Sequence, residues 1–398
     1  MIRRHLEPAL AASAKKYPIV TVTGPRQSGK TTIVRKVFRN YRYVSLENPD
    51  ERNFALEDPR GFLKQFSGGV ILDEAQRAPD LFSYLQGIVD EDKRAGRFVL
   101  TGSQNFLLLD RVSQSLAGRT SVFHLLPFSR SELAGHKLAD LARVGRTIPN
   151  RRASKEDLFA ALYAGFYPRI HDTGVAPQEW LRNYYQTYVE RDVRQIVNVG
   201  DIEAFGRFTR LCAGRCGQLL NLASLGADCG VSHATAGRWL SALEASFIVY
   251  LLRPHHGNFG KRLIKSPKLY FLDTGLLCYL LRIRSADELR THSARGAVFE
   301  AFVLSEVLKS YLHRGAEPDV YFWRDSSGHE VDFLLDHGNS LVPIEAKSGE
   351  TVAGDFFKGI EYWRSLAGQN ETAAALVYGG SASAMRKGVA VYSWNAWL

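Results

Sequence analysis

Gly24-Pro25-Arg26-Gln27-Ser28-Gly29-Lys30-Thr31 stands between an apolar run, Ile19 to Thr23, and a helical pattern that opens at Lys30. The spacing is GxxxxGK[ST], and a strand before it and a helix after it are the context in which that motif cradles phosphates. Backbone N–H groups of such a loop point at the anion, and the helix N-terminus adds the positive end of its dipole. The pattern predicts that Gly24, Pro25, Arg26, Gln27, Ser28, Gly29, Lys30, Thr31 and Thr32 hold the phosphates of ATP. Lys30 is expected at the β- and γ-phosphates, and the Thr31 hydroxyl on Mg²⁺.

Moving outward, Val70-Ile71-Leu72-Asp73-Glu74 is an apolar strand that ends in two carboxylates. Buried acids are costly without partners, and here Asp73 is expected to hold Mg²⁺ while Glu74 polarises a water. Phe98 to Ser103 is a third buried strand, and it ends in polar residues. Ser103, or Gln104 and Asn105 beyond it, is placed to meet the γ-phosphate or the attacking water. Arg119 precedes the strand Thr120 to Leu126 and is expected to reach a neighbouring subunit's nucleotide as an arginine finger, which requires a homo-oligomer, a ring or partial ring.

These strands, with Tyr43 to Leu46, alternate with helices from Lys30 and from Leu81 to Asp90, the signature of a parallel α/β sheet. The chain's 398 residues exceed one ordinary core, and 45% hydrophobic with 23% charged residues excludes a disordered or fibrous chain. Four regions are expected: a nucleotide-binding core at 1–130, a helical region at 131–200, a winged helix-turn-helix at 201–284 and a second α/β unit at 285–398. Arg143 to Lys155 reads as an exposed basic loop. No stretch approaches the roughly 18 apolar residues of a spanning helix, so no membrane partner is expected. Met1 to Leu10, with Arg3, Arg4, Glu7 and Pro8, has no signal-peptide pattern, and a cytoplasmic location is the expectation. Cys212, Cys216, Cys229 and Cys278 form no CxxC pair and read as core thiols.

Net charge is +10, which gains meaning where a fold can present it to a polyanion such as DNA. Leu222 to Asp228, a turn with Gly230, His233 to Ala245 and Phe247 to Leu252 follow the order of a winged helix. Its wing would be Arg253 to Lys268, in which Arg253, Lys261, Arg262, Lys265 and Lys268 meet no acid, so these five are the expected DNA contacts. Further on, Asp332 and Glu345-Ala346-Lys347 lie on consecutive strands of a hairpin, His329 to Leu335 and Leu341 to Ala346. Glu345 and Lys347 are two apart and share a face, so the carboxylate can hold a dication while the ammonium orients a water. A solvated face with a cross-strand ion pair would give the same pattern.

The loop at 24–31, Leu72 to Gln76, Thr101-Gly102-Ser103, Leu116 to Arg119, Tyr188 to Val193 and Asp325 to Lys347 together resemble the prokaryotic AAA+ ATPases that carry a C-terminal PD-(D/E)XK-like domain. The resemblance covers nearly the whole chain. It implies an AAA+ P-loop core, a winged helix and a restriction-endonuclease-like α/β domain, with Glu300 as an extra helix acid beside Asp332 and Glu345, and Mg²⁺ or Mn²⁺ held there. The function expected is a Mg-dependent ATPase that binds duplex or branched DNA and couples hydrolysis to its processing, with nuclease activity left open. The alternative is a nucleotide-dependent switch or scaffold whose nuclease-like domain binds without cutting. A small-molecule kinase is disfavoured, because Glu74 after Asp73 suits water activation and no acceptor pocket is evident.

Overall fold

The structure, a computed structural model, describes residues 2–103, 112, 115–149, 156–188, 201–255, 264–368 and 372–398. The chain divides into two compact units: Met1–Phe128 with Ala245–Phe247 and Tyr311–Glu317, and Ser129–Glu244 with Ile248–Ser310 and Pro318–Leu398. The first break falls between Phe128 and Ser129; the second unit takes the rest of the chain except Ala245–Phe247 and Tyr311–Glu317.

In the first unit β1 (Ile19–Thr23), β2 (Arg42–Ser45), β3 (Val70–Asp73), β4 (Phe98–Gly102) and β5 (Thr120–His124) form a parallel sheet in the order β2-β3-β4-β1-β5. Every residue of β1, β3 and β4 is buried, as continuous apolar runs require when helices cover both faces. Neighbouring residues serve opposite sides. Leu72 and Leu100 pack with Phe62, Leu81 and Leu85, while Ile71 and Val99 pack with Leu6, Leu10, Ile33 and Val34. Because all strands run one way, Thr23, Asp73 and Gly102 finish at the same edge, and the phosphate loop begins there.

In the second unit, the helices Ile202–Gly214, Leu222–Cys229 and His233–Ala245 precede a two-stranded sheet of β6 (Val249–Leu252) and β7 (Lys268–Phe271). Asn221 caps one helix at its start, and left-handed Gly230 closes it. A six-stranded sheet follows in the order β12-β13-β11-β10-β9-β8, from β8 (Val320–Arg324), β9 (Glu330–Asp336), β10 (Leu341–Lys347), β11 (Ala375–Tyr378), β12 (Ala384–Arg386) and β13 (Val389–Ser393). β8, β9 and β10 run antiparallel, whereas β10, β11 and β13 run parallel. The helix Lys358–Ala367 lays Ile360 and Trp363 on this sheet.

Some expectations change. Lys268, expected on an exposed wing, is buried in β7, and its ammonium pairs with Glu330 of β9. Its place in the strand ladder turns the side chain inward, so it is no DNA contact. The ends of the expected wing are tied to β8: Phe322 N–H donates to Arg253 O (3.1 Å), His255 N–H to Phe322 O (2.8 Å) and Ile264 N–H to Arg324 O (3.3 Å). Arg253 and Lys265 are exposed, and Lys261 and Arg262 lie outside the described residues. The expected basic loop is partly packed. Gly145 N–H donates to the Tyr392 hydroxyl at 2.9 Å, and a Cβ there would stand 2.7 Å from Ala374 N. Residues 150–155 lie outside the described residues, as do Gln104, Asn105 and 189–200. All four cysteines are free and buried. Among the described residues no helix is long and apolar enough to cross a membrane.

Candidate nucleotide site and carboxylate cluster

The turn out of β1 is made by backbone that side chains resist. Gly24 has φ +149°, and a Cβ on it would lie 2.2 Å from Leu125 O; Gly29, at φ +93°, opens the helix Lys30–Val37. Lys30 is buried and donates to Gly24 O (2.9 Å) and Pro25 O (2.8 Å). Burial lowers its pKa to about 8, with Glu74 and Asp73 pulling the other way. Thr31, one residue on, donates to Asp73 Oδ2 at 2.9 Å.

Asp73 collects hydroxyls from three elements. Besides Thr31, Tyr43 of β2 donates to Oδ2 at 2.7 Å and Thr101 of β4 to Oδ1. Bonds to an ionised acceptor are the strong ones, and three of them fix both carboxylate oxygens. Burial, then the bond to Asp73, pushes the Tyr43 phenol up to about 12, so it stays a donor. Glu74 follows in the left-handed region (φ 56°, ψ 45°), which swings it out of the strand direction. Its Oε2 accepts from Gln76 Nε2 (2.6 Å) and Ser103 Oγ (3.0 Å). Ser28 Oγ in the loop and Gln76 Oε1 beside Glu74 are buried without a hydrogen-bond partner. Such atoms are rare in folded proteins, and these two stand in the loop and beside Glu74. The Thr31 hydroxyl and Asp73 carboxylate are hard oxygen donors in contact, a set that fits Mg²⁺.

Arg4 has no motif around it, yet its buried guanidinium donates to Ser28 O (2.8 Å) and Leu126 O (2.6 Å) and lies 4.8 Å from the Phe128 ring centroid. It braces the loop against the exit of β5. Sequence reasoning missed Arg4, Tyr43, Thr101 and Gln76 as site residues. The last two flank or sit inside motifs already singled out, and a tyrosine on the strand beside β3 is a weaker signal. Arg119 lies elsewhere: its Nε and Nη2 donate to Asp90 at 2.6 and 2.9 Å, and it precedes β5, whereas the phosphate loop follows β1.

In the second unit, β9 and β10 pair Phe333 with Ile344, so Asp332 and Glu345 oppose each other one step on. Lys347 Nζ reaches both, at 3.1 Å from Asp332 Oδ2 and 2.5 Å from Glu345 Oε2, and Ala346 N–H donates to Asp332 Oδ2 at 2.9 Å. Burial works against Asp332's charge, but Lys347 and Lys268 outweigh it and hold the group below its ordinary value. Glu345 is raised well above its ordinary value by burial and then by Asp332. Glu300, accepting from the Tyr270 hydroxyl at 3.2 Å, is raised to about 8 by desolvation and then by Asp332. Desolvation would lower Lys347, but the two carboxylates outweigh it and raise it. Asp332, held charged by the lysines, stands with Glu300 and Glu345, which burial and Asp332 push toward the protonated form, and the three are a hard-oxygen set that fits Mg²⁺ or Mn²⁺. The same oxygens currently serve the lysine.

Residues 16–134 match the family model described as an AAA domain. Residues 155–287 and 295–397 match two domains of unknown function, DUF8612 and DUF4143. Uncharacterized proteins of Mycobacterium tuberculosis and Mycobacterium bovis are each 33% identical over 351 residues, 88% of this chain and 74% of theirs. Among solved structures, the Walker-type ATPase of Pyrococcus abyssi is similar over 70% of this chain and 95% of its own (TM-score 0.41, 14% identity). AMPPCP-bound DnaA from Aquifex aeolicus is similar over 60% and 85% (TM-score 0.30, 15% identity). At those TM-scores neither likeness bears on function. The fold is α/β with a parallel-sheet P-loop core of AAA type.

Proposed function

This chain belongs to one family with the two mycobacterial proteins and matches an AAA-domain model over residues 16–134, and from there we propose that it is a Mg-dependent ATPase that binds DNA and couples hydrolysis to DNA processing. The observation that carries the ATPase reading is the pair of acids at the end of β3. Asp73 is fixed beside the Thr31 hydroxyl, and Glu74 is turned aside and held by Ser103 and Gln76. When phosphates enter, Lys30 exchanges the carbonyls of Gly24 and Pro25 for phosphate oxygens, regaining partners for its buried charge. Thr31 and Asp73 hold Mg²⁺, which when bound neutralises charge on the phosphates. Glu74 then takes a proton from water, with Gln76 Oε1 and Ser103 Oγ placed to orient that water.

The remaining roles belong to the same proposal. The subunits assemble as homo-oligomers, and Arg119 serves a neighbour's site. The helices at 202–245 with β6 and β7 act as a winged helix, with Arg253, Lys261, Arg262 and Lys265 toward DNA. The sheet β8 to β13 is a PD-(D/E)XK-like domain, with Asp332, Glu345, Glu300 and Lys347 as its site.

Turnover measured with linear, forked and four-way DNA tests the central claim. Lys30→Ala is expected to abolish nucleotide binding or hydrolysis. Glu74→Gln is expected to keep binding and lose at least 10²-fold in kcat, the scale of one general base. Equal turnover in all three proteins would remove the assignment.

A further inference from the structure

An open hollow of about 600 Å³ lies in the second unit, and its lining shares no residue with the carboxylate cluster. The helices Leu158–Ala164, Pro177–Tyr184 and Thr274–Leu280 bring Tyr163, Arg182 and Tyr279 to it, and the turn after the last helix adds Arg282, Ile283 and Arg284. Among the described residues none of the three guanidiniums makes an ion pair, and Glu179 is the one acid in the lining. The lining therefore sets three guanidiniums and two half-buried tyrosines against Glu179, with Glu288 at the rim, where its carboxylate accepts from Arg284 N–H at 2.7 Å. Tyr163 is fixed there by donating to Arg284 O at 2.5 Å.

Arg282 is the telling residue. Its N–H bonds Tyr279 O (3.0 Å), Ile283 N–H bonds Cys278 O (3.0 Å), and its φ is +59°, so it occupies the left-handed position that closes a helix. At the corresponding ends of other helices this chain uses Gly174, Gly230 and Gly368. Only glycine takes that conformation without strain. A cation near a helix C-terminus suits the dipole, but Arg284 supplies one nearby without a left-handed φ. The left-handed φ of Arg282 sets this turn apart from those closed by glycine, and the side chain kept there lines the hollow.

We propose that this hollow is a binding site for single-stranded nucleic acid, in which the guanidiniums of Arg182, Arg282 and Arg284 take phosphates and Tyr163 and Tyr279 offer ring faces to bases. Guanidinium and aromatic groups side by side are how single strands are held without sequence preference. The hollow is open, so an unpaired strand can lay both phosphates and bare base faces along it, whereas a duplex keeps its bases stacked inside and can offer only phosphates. An acidic peptide would satisfy the charge but leave the rings unused. The site is separate from the proposed wing and does not depend on ATP hydrolysis.

Fluorescence anisotropy of a labelled 12-nucleotide single strand, titrated with the full-length protein without nucleotide across a salt series, tests this. Arg282→Gly is expected to raise Tm or leave it unchanged, because it restores the residue this turn prefers, yet to weaken binding several-fold. The slope of log K against log salt should flatten by about 0.7 for the lost phosphate contact. Arg182→Ala with Arg284→Ala is expected to weaken binding by a further tenfold or more, while ATP turnover without DNA stays at wild type. Unchanged affinity in these variants, or no binding by the wild type, would overturn the proposal. So would an equal loss for a 20-base-pair duplex, or displacement of the strand by polyglutamate at matched charge. In each case turnover in Lys30→Ala and Glu74→Gln judges the ATPase reading separately.

Discussion

Arg4 shows how much a single side chain can carry without any trace in the sequence. Its partners are the carbonyls of Ser28 and Leu126, 24 and 122 positions away, and carbonyls leave no signature because every residue has one. Lys30, Thr31 and Asp73 were legible for the opposite reason: phosphate and Mg²⁺ chemistry needs those side-chain types at fixed spacing. Removing the guanidinium strands buried acceptors, each worth about 1–3 kcal/mol, and unpins the loop where phosphates dock. Arg4→Ala is therefore expected to raise the KM for ATP about tenfold or more with a much smaller change in kcat. Arg4→Lys should recover part of that loss. Steady-state kinetics on the three proteins checks it; a fall in kcat at constant KM would mean that Arg4 does not act through nucleotide binding.

At the scale of elements, what could be read depended on burial. The strands of the first sheet announced themselves because both faces are covered, which leaves little but apolar residues between turns. Lys268 misled because a lysine among exposed-looking neighbours reads as wing. Its burial depends on Glu330, 62 residues on, and no local pattern carries that pairing. The Asp332 and Glu345-Ala346-Lys347 spacing was legible, but the lysine's grip on both carboxylates was not, since hairpin register decides it. On the proposed reading, Mn²⁺ competes with Lys347 for those oxygens. If the site cuts as well as binds, metal-dependent nicking of linear, forked or four-way DNA is the activity to measure. Asp332→Ala and Lys347→Ala should each abolish it while ATP turnover persists, because the two sites lie in different units. Nicking that survives in Asp332→Ala would withdraw these residues.

For the whole molecule, the sheet order bears on assembly. β1 and β5 run parallel in register from Ile19↔Thr120 to Thr23↔His124, so Arg119 and the phosphate loop sit at opposite ends of paired five-residue strands. That separation is about 16 Å, too far for Arg119 to serve its own nucleotide. Mixing Arg119→Ala subunits with Lys30→Ala subunits should restore part of the lost turnover, because a shared interface unites one intact loop with one intact finger. A finger supplied in trans can be worth about 10³-fold or more, so even a minority of such interfaces is measurable. No restoration in a confirmed mixed assembly would count against the finger.

The first unit also borrows chain from far downstream. The Phe247 ring stands 5.5 Å from His124, and Gly315, at φ +68°, leaves room where a Cβ would lie 2.6 Å from the Phe123 ring. Both segments belong to the P-loop unit, although more than a hundred residues of the other unit precede each of them. The nucleotide module is therefore not a cassette that recombination or a truncated gene can hand on intact. A chain cut after Phe128 would expose the end of β5, and any rearrangement that moved the AAA domain between proteins would have to carry its distant patches along.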